Sequence, residues 1–157
     1  HQRGAVLLPE VHWLSMPIQP YGRRKKQLGR KRQVKNMVML DANVILRYLL
    51  NDNEEMDSEA EKVIKSHTAL VTIEVVAEVI YVLKRVYAID REEIKESVLG
   101  FLSEVQVEER EVLVFGIETY AVQNLDFVDC ILYAYKCVKK HDILTFDKKL
   151  KKLLANV

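Results

Sequence analysis

From Met37 onward, short apolar runs alternate with longer stretches in which apolar residues recur at helical spacing. Val38-Met39-Leu40 is a compact apolar run that stops at Asp41 and reads as a strand. Val44, Ile45, Tyr48 and Leu49 then fall on one helical face, ahead of a polar linker over residues 51–57. Residues 58–65 predict a second helix, and Ala69-Leu70-Val71 a second strand. Thr72 is placed to cap a long helix running to Ala88, and Asp90 to cap one over residues 92–105. Val112-Leu113-Val114-Phe115 reads as a third strand and residues 117–123 as a short helix. A helix from Asp126 to Lys140, a fourth strand at Ile143-Leu144-Thr145 and a closing helix over residues 148–154 complete the series. Such alternation predicts a three-layer α/β/α domain around a parallel sheet of four to five short strands.

Composition narrows the class. The chain has 157 residues, of which 49% are hydrophobic and 30% charged, with only 5 Gly and 3 Pro. That is enough apolar material for one core and too little Gly and Pro for a fibrous or low-complexity chain. No run approaches the roughly 20 apolar residues of a membrane span, and Ala5 to Leu8 is too short for a secretory signal.

The net charge of +1 is the sum of two unlike parts. Residues 1–36 carry +8 and all three prolines; residues 37–157 carry −7. The first part is expected to be a basic, disordered or non-native extension, although its Arg/Lys clusters also resemble a nucleic-acid-binding arm. The second is the folded domain.

Cys130 and Cys137 lie seven apart in a helical stretch, with Cα atoms roughly 10 Å apart, too far for a disulfide. They read as free thiols in a reducing, cytoplasmic setting. With His67 and His141 they offer no ligand spacing suited to zinc.

The chemistry lies in the acids. In an open parallel sheet, ligands collect beyond the carboxyl ends of the strands. Asp41 ends the first expected strand and Asp147 follows the fourth, while Asp129 falls in a helix's first turn and Glu78 in mid-helix. If the strands leading to Asp41 and Asp147 are neighbours, these carboxylates converge. Their repulsion then calls for a divalent cation, and an all-oxygen set without His or Cys selects Mg²⁺ or Mn²⁺. Each acid also has a purely architectural role available. Asp41 and Asp147 suit helix caps, Asp126 and Asp129 suit the N-cap and N3 of a capping box, and Glu78 shares a stripe with Glu74 and Arg85 that suits a solvated face.

Four segments resemble the motifs of PIN domains, in order and at the right separations. They are Leu40-Asp41-Ala42-Asn43-Val44-Ile45-Leu46, residues 72–83 (TIEVVAEVIYVL), Leu125-Asp126-Phe127-Val128-Asp129-Cys130-Ile131-Leu132 and Thr145-Phe146-Asp147-Lys148-Lys149-Leu150. The resemblance covers Val38 to Leu154, and the nearest subgroup is the VapC-like toxins of prokaryotic toxin–antitoxin pairs. It implies a Mg²⁺- or Mn²⁺-dependent endoribonuclease in which Asp41, Glu78, Asp129 and Asp147 are catalytic and hold the metal. It implies Asn43 and Thr145 as polar support for Asp41 and for a water on the metal. Asp126 is a helix cap first and a ligand second. It also implies RNA as substrate, an antitoxin protein as partner and a homodimer, with apolar helix faces around Tyr81, Val82 and Leu99 as candidate contacts.

Lys148 and Lys149, within a lysine-rich C-terminal stretch, and Arg47 near the start of the domain are candidates for the RNA backbone. The absence of a Gly-rich phosphate loop disfavours nucleotide triphosphate hydrolysis. Asn43, standing where a second Asp would be needed, disfavours a haloacid-dehalogenase-type phosphatase. Two alternatives stay open: a housekeeping RNA-processing nuclease, and a non-catalytic RNA-binding or assembly module whose acids only cap helices. A small antitoxin gene immediately upstream distinguishes the toxin from the first; loss of metal dependence distinguishes the second.

Overall fold

The computed structural model describes residues 36–50 and 54–157. The expected extension over residues 1–36 therefore lies outside the described residues, apart from Asn36.

The described chain begins with strand β1 (Val38–Met39), followed by helices α1 (Ala42–Leu50) and α2 (Glu54–Lys65) and strand β2 (Ala69–Val71). Helices α3 (Ile73–Arg85) and α4 (Arg91–Leu102) lead to strand β3 (Gln106–Val107). Helices α5 (Arg110–Val122), α6 (Phe127–Lys139) and α7 (Lys148–Leu154) complete it. The arrangement is three-layer α/β/α. Its sheet runs β1-β2-β3, all parallel, with Val38 opposite Ala69 and Val71 opposite Val107. β2 is central, and Ala69 and Val71 are fully buried, whereas β1 is an edge whose Val38 and Met39 are exposed.

Two helix starts are set by side chains that the sequence singles out. Thr72 Oγ1 accepts from the Val75 N–H at 3.4 Å, and Asp90 Oδ1 from the Glu93 N–H at 2.9 Å. Each satisfies a donor that the first turn would otherwise leave orphaned. The long α3 stops at Arg85 rather than Ala88, where the chain turns with Ala88 at φ 52°.

The expected strands at 112–115 and 143–145 are corrected, leaving three strands among the described residues rather than four to five. Val112 to Phe115 lies inside α5. This helix packs against both α4 and α6, and Val112, Leu113, Gly116, Ile117, Thr119 and Tyr120 are all buried. A helix covered on several sides is apolar on several sides, so its opening turn mimics a buried strand. Residues 143–145 make no ladder bonds, and Leu144 is 89% exposed. The two-residue β3 is too short to carry a periodic pattern, and α2 begins at Glu54, four residues inside the expected linker and helix boundary.

Helices α4 and α5 are tied at both ends by arginines. Nη1 of Arg91, the first residue of α4, donates to the carbonyls of Tyr120 (3.1 Å), Gln123 (2.9 Å) and Leu125 (2.7 Å) at the far end of α5. Its guanidinium carbon lies 4.1 Å from the Tyr120 ring centroid. Arg110, the first residue of α5, donates to Leu102 O (2.9 Å) and Val105 O (2.6 Å) at the end of α4. Helix C-termini expose carbonyls and negative dipole, so a cation at each end satisfies both.

Between α5 and α6 the backbones come close at Gly116. A Cβ there would lie 2.5 Å from Ile131 Cδ1 and 3.5 Å from Ile131 Cα.

Two stability outcomes follow. Arg91→Ala should lower the unfolding free energy by about 2–3 kcal/mol, because the shared charge-assisted bonds to three part-buried carbonyls are lost. Denaturant unfolding checks it, and Arg91→Lys should recover only part, lacking the planar fork. Gly116→Val should cost about 2–3 kcal/mol by overpacking. Pairing it with Ile131→Ala should give a smaller loss than the two single losses added together, the signature of a direct clash.

Candidate active site

The first turn of α6 sets the site. Phe127, Cys130, Ile131 and Ala134 are buried along one face, and Phe127 meets the Tyr120 ring edge-on at 6.0 Å. With that face fixed inward, Val128 is exposed and Asp129 sits half-buried at the rim. Asp126 occupies the N-cap position with extended backbone, yet its side chain makes no capping bond. The capping role expected of Asp126 is thus not filled, and the carboxylate is left facing a groove.

That groove encloses about 520 Å³ and is lined by Asp126, Asp129 and Asp147 together with Arg91, Phe146, Lys148 and Lys149, among others. Asp147 caps α7, accepting from the Leu150 N–H at 2.8 Å, while its own N–H donates to Thr145 Oγ1 at 3.1 Å. Thr145 therefore supports Asp147 directly. Burial raises the Asp129 pKa above the usual carboxylate value, and the negative charges of Asp147 and Asp126 raise it further.

Asp41 and Glu78 are placed differently. Asp41 is exposed at the start of α1, where Oδ1 accepts from the Val44 N–H at 2.9 Å. Glu78 lies on the exposed face of α3, beside Glu74 and Tyr81 along the helix. Neither is among the charges that shift Asp129. Their convergence with Asp147 rested on a fourth strand beside β1, and residues 143–145 do not form one. The donor chemistry is what a hard divalent cation takes, all carboxylate oxygen. The geometry is not: among the described residues no three His, Cys, Asp or Glu side chains are close enough to hold one ion.

Asn43 and Arg47 line a separate groove of about 450 Å³ between α1 and the end of α3, together with Val82. Of the other candidate dimer contacts, Leu99 packs against the core and Tyr81 is exposed.

Three basic residues escape sequence reasoning. Arg91 lines the acidic groove, but its carbonyl partners are 29 to 34 residues away, which no local pattern signals. Lys84 and Arg85 line a second groove, of about 670 Å³, that also contains Arg91, Asp126 and Asp129. In sequence Arg85 reads only as part of a solvated stripe with Glu74 and Glu78, and nothing marks Lys84. Cys130 is fully buried, and that burial pushes its thiol up to about 12 despite the opposing charge of Arg91. Cys137 is partly exposed, and neither cysteine is in a disulfide.

The family model of the PIN domain matches residues 38–154. No curated protein and no solved structure gives a significant match. No helix among the described residues is long and apolar enough to cross a membrane.

The raised Asp129 pKa has a stability consequence whose sign is fixed. The folded state holds this proton more tightly than the unfolded chain, so ionising Asp129 opposes folding. The penalty is absent below the usual Asp pKa and complete above the raised one. Asp129→Asn should therefore melt higher than the parent at pH 7 without divalent metal, by about 1–3 °C given solvent screening at a half-exposed site. The difference should shrink as pH falls below the usual Asp value. Melting curves at pH 7 and pH 3 check this; a lower melting temperature for the variant at pH 7 would mean that a partner stabilises the carboxylate.

Proposed function

Because the chain belongs to the PIN-domain family, a family of nucleases, we propose that it is a Mg²⁺- or Mn²⁺-dependent endoribonuclease, and specifically the toxin of a toxin–antitoxin pair. The observation that carries the reading is the gathering of Asp126, Asp129 and Asp147 in one groove with Lys148 and Lys149 on its wall. Acids alone would repel a phosphodiester. Lysines on the same wall offset that repulsion and can retain the polyanion beside the carboxylates.

The reading assigns the cation to Asp41, Glu78, Asp129 and Asp147, with Asp126 in support; Asp129 and Asp147 are the members already in electrostatic contact. A divalent cation held by these acids would supply charge neutralisation at the phosphoryl oxygens and a more acidic water. The chain's own part is narrower. Thr145 orients the Asp147 backbone, Arg91 fixes the turn that leads to Asp126, and Lys148 and Lys149 retain the strand. An antitoxin segment suited to this groove would carry basic residues for the acids.

One observation favours the non-catalytic alternative. Asp41 and Asp147 each already accept a backbone N–H, as acids that serve only as caps would do.

Incubation of the chain with total cellular RNA and Mg²⁺ or Mn²⁺ decides between them. Discrete fragments are expected, lost on chelation and reduced at least about a hundredfold by Asp129→Asn and by Asp41→Asn. Mn²⁺ should also raise the melting temperature of the parent but not of Asp129→Asn. Equal inertness of parent and variants, with no Mn²⁺-dependent melting shift, would leave the acids as caps.

A further inference from the structure

The groove between α3 and α6 has the makings of a second substrate-binding region. It encloses about 670 Å³, within the roughly 300–1,000 Å³ of clefts that take small ligands. It shares Arg91, Asp126 and Asp129 with the acidic groove, so the two meet at the carboxylates. Beyond that meeting point each groove presents the same pair of chemistries. One has Phe146, 87% exposed, with Lys148 and Lys149. The other has Tyr81, 64% exposed, with Lys84 and Arg85. Tyr81, Lys84 and Arg85 stand at i, i+3 and i+4 on α3, the spacing that makes side chains neighbours on a helix surface.

An exposed aromatic ring beside two cations matches a base next to its phosphates. Stacking needs an unpaired base, since a duplex hides its ring faces. A second copy of the chain fits the groove less well. Tyr81 and Val128 are its exposed large apolar residues, and four of its lining residues are basic or acidic around them besides Arg91. That is a poor centre for a protein interface of about 1,000 Å² or more.

We propose that Tyr81, Lys84 and Arg85 form a subsite for single-stranded RNA, taking nucleotides that run away from the carboxylates on the opposite arm from Phe146, Lys148 and Lys149. The subsite rests on the nuclease reading for its substrate, but it can be tested without cleavage. Stacking on Tyr81 supplies sequence-tolerant affinity. Lys84 and Arg85 supply the salt-dependent part.

The test is fluorescence anisotropy with the full chain in chelator and a labelled single-stranded RNA of about 12 nucleotides, a length within typical single-strand site sizes. Tyr81→Ala should weaken binding about 5- to 100-fold with the salt slope unchanged, and Tyr81→Phe should restore it. Lys84→Ala combined with Arg85→Ala should make the slope of log affinity against log salt shallower by about 1.4, two phosphate contacts on a single strand. Ultraviolet crosslinking of the same strand carrying 4-thiouridine should label the peptide that contains Tyr81, separating this groove from the basic residues before Met37. Unchanged affinity and slope together with no label on that peptide would overturn the proposal. So would loss of self-association in Tyr81→Ala with RNA binding intact, which would give the face to a second copy. Weakened binding in these variants without metal-dependent cleavage by the parent would keep the subsite and remove the nuclease. Cleavage by the parent with unaffected variants would do the reverse.

Discussion

The Arg91 guanidinium holds the carbonyls of Tyr120, Gln123 and Leu125, the three points at which the chain leaves α5 and prepares to enter α6. Those carbonyls lie past the reach of the α5 backbone ladder, and at part-buried positions each is costly to leave unmet. By meeting them from α4, Arg91 fixes where the next helix begins. The residue after Leu125 is Asp126, and one turn later comes Asp129. A bond made for folding reasons thus determines where these two carboxylates stand. Arg110 repeats the device at the other end of the helix pair, so the α4–α5 unit cannot slide without breaking cation–carbonyl contacts at both ends.

How legible this was from the sequence depends on the range of the interaction. Thr72 and Asp90 were readable as caps because a cap acts on the N–H three residues ahead. The closing helix over residues 148–154 was readable for the same reason, with Asp147 before it. Val112 to Phe115 was misread because identical apolar runs satisfy a buried strand and a deeply buried helix, and only the partners of α5 decide between them. Ile143 to Thr145 has the composition of a strand, but composition does not provide the neighbour that a strand requires. Arg91 was invisible: nothing near it in the chain hints at carbonyls some thirty residues away.

The acids divide along the same line. The sequence named Asp129 and Asp147 as site acids and Asp126 as a cap first, and packing lines one groove with all three because α6 and α7 are neighbours. Asp41 stands just before α1 and Glu78 within α3, whose placement relative to that groove depends on tertiary packing and on the segment before Asp147. A carboxylate at a helix start can serve the helix or a cation. Asp126, in the cap position without the capping bond, is the one whose local role is unspent.

The α5–α6 seam closes over Cys130, with Gly116 admitting Ile131 beside it. A thiol pushed up to about 12 and sealed from solvent is doubly protected from electrophiles, being both neutral and out of reach. Cys137, two turns further along the same helix, is partly open to solvent. The two thiols thus differ in access: an alkylating reagent can reach Cys137 in the folded protein, but Cys130 only when the seam parts. The lag between the two modifications measures how often the helix bearing Asp129 comes loose from the body of the protein.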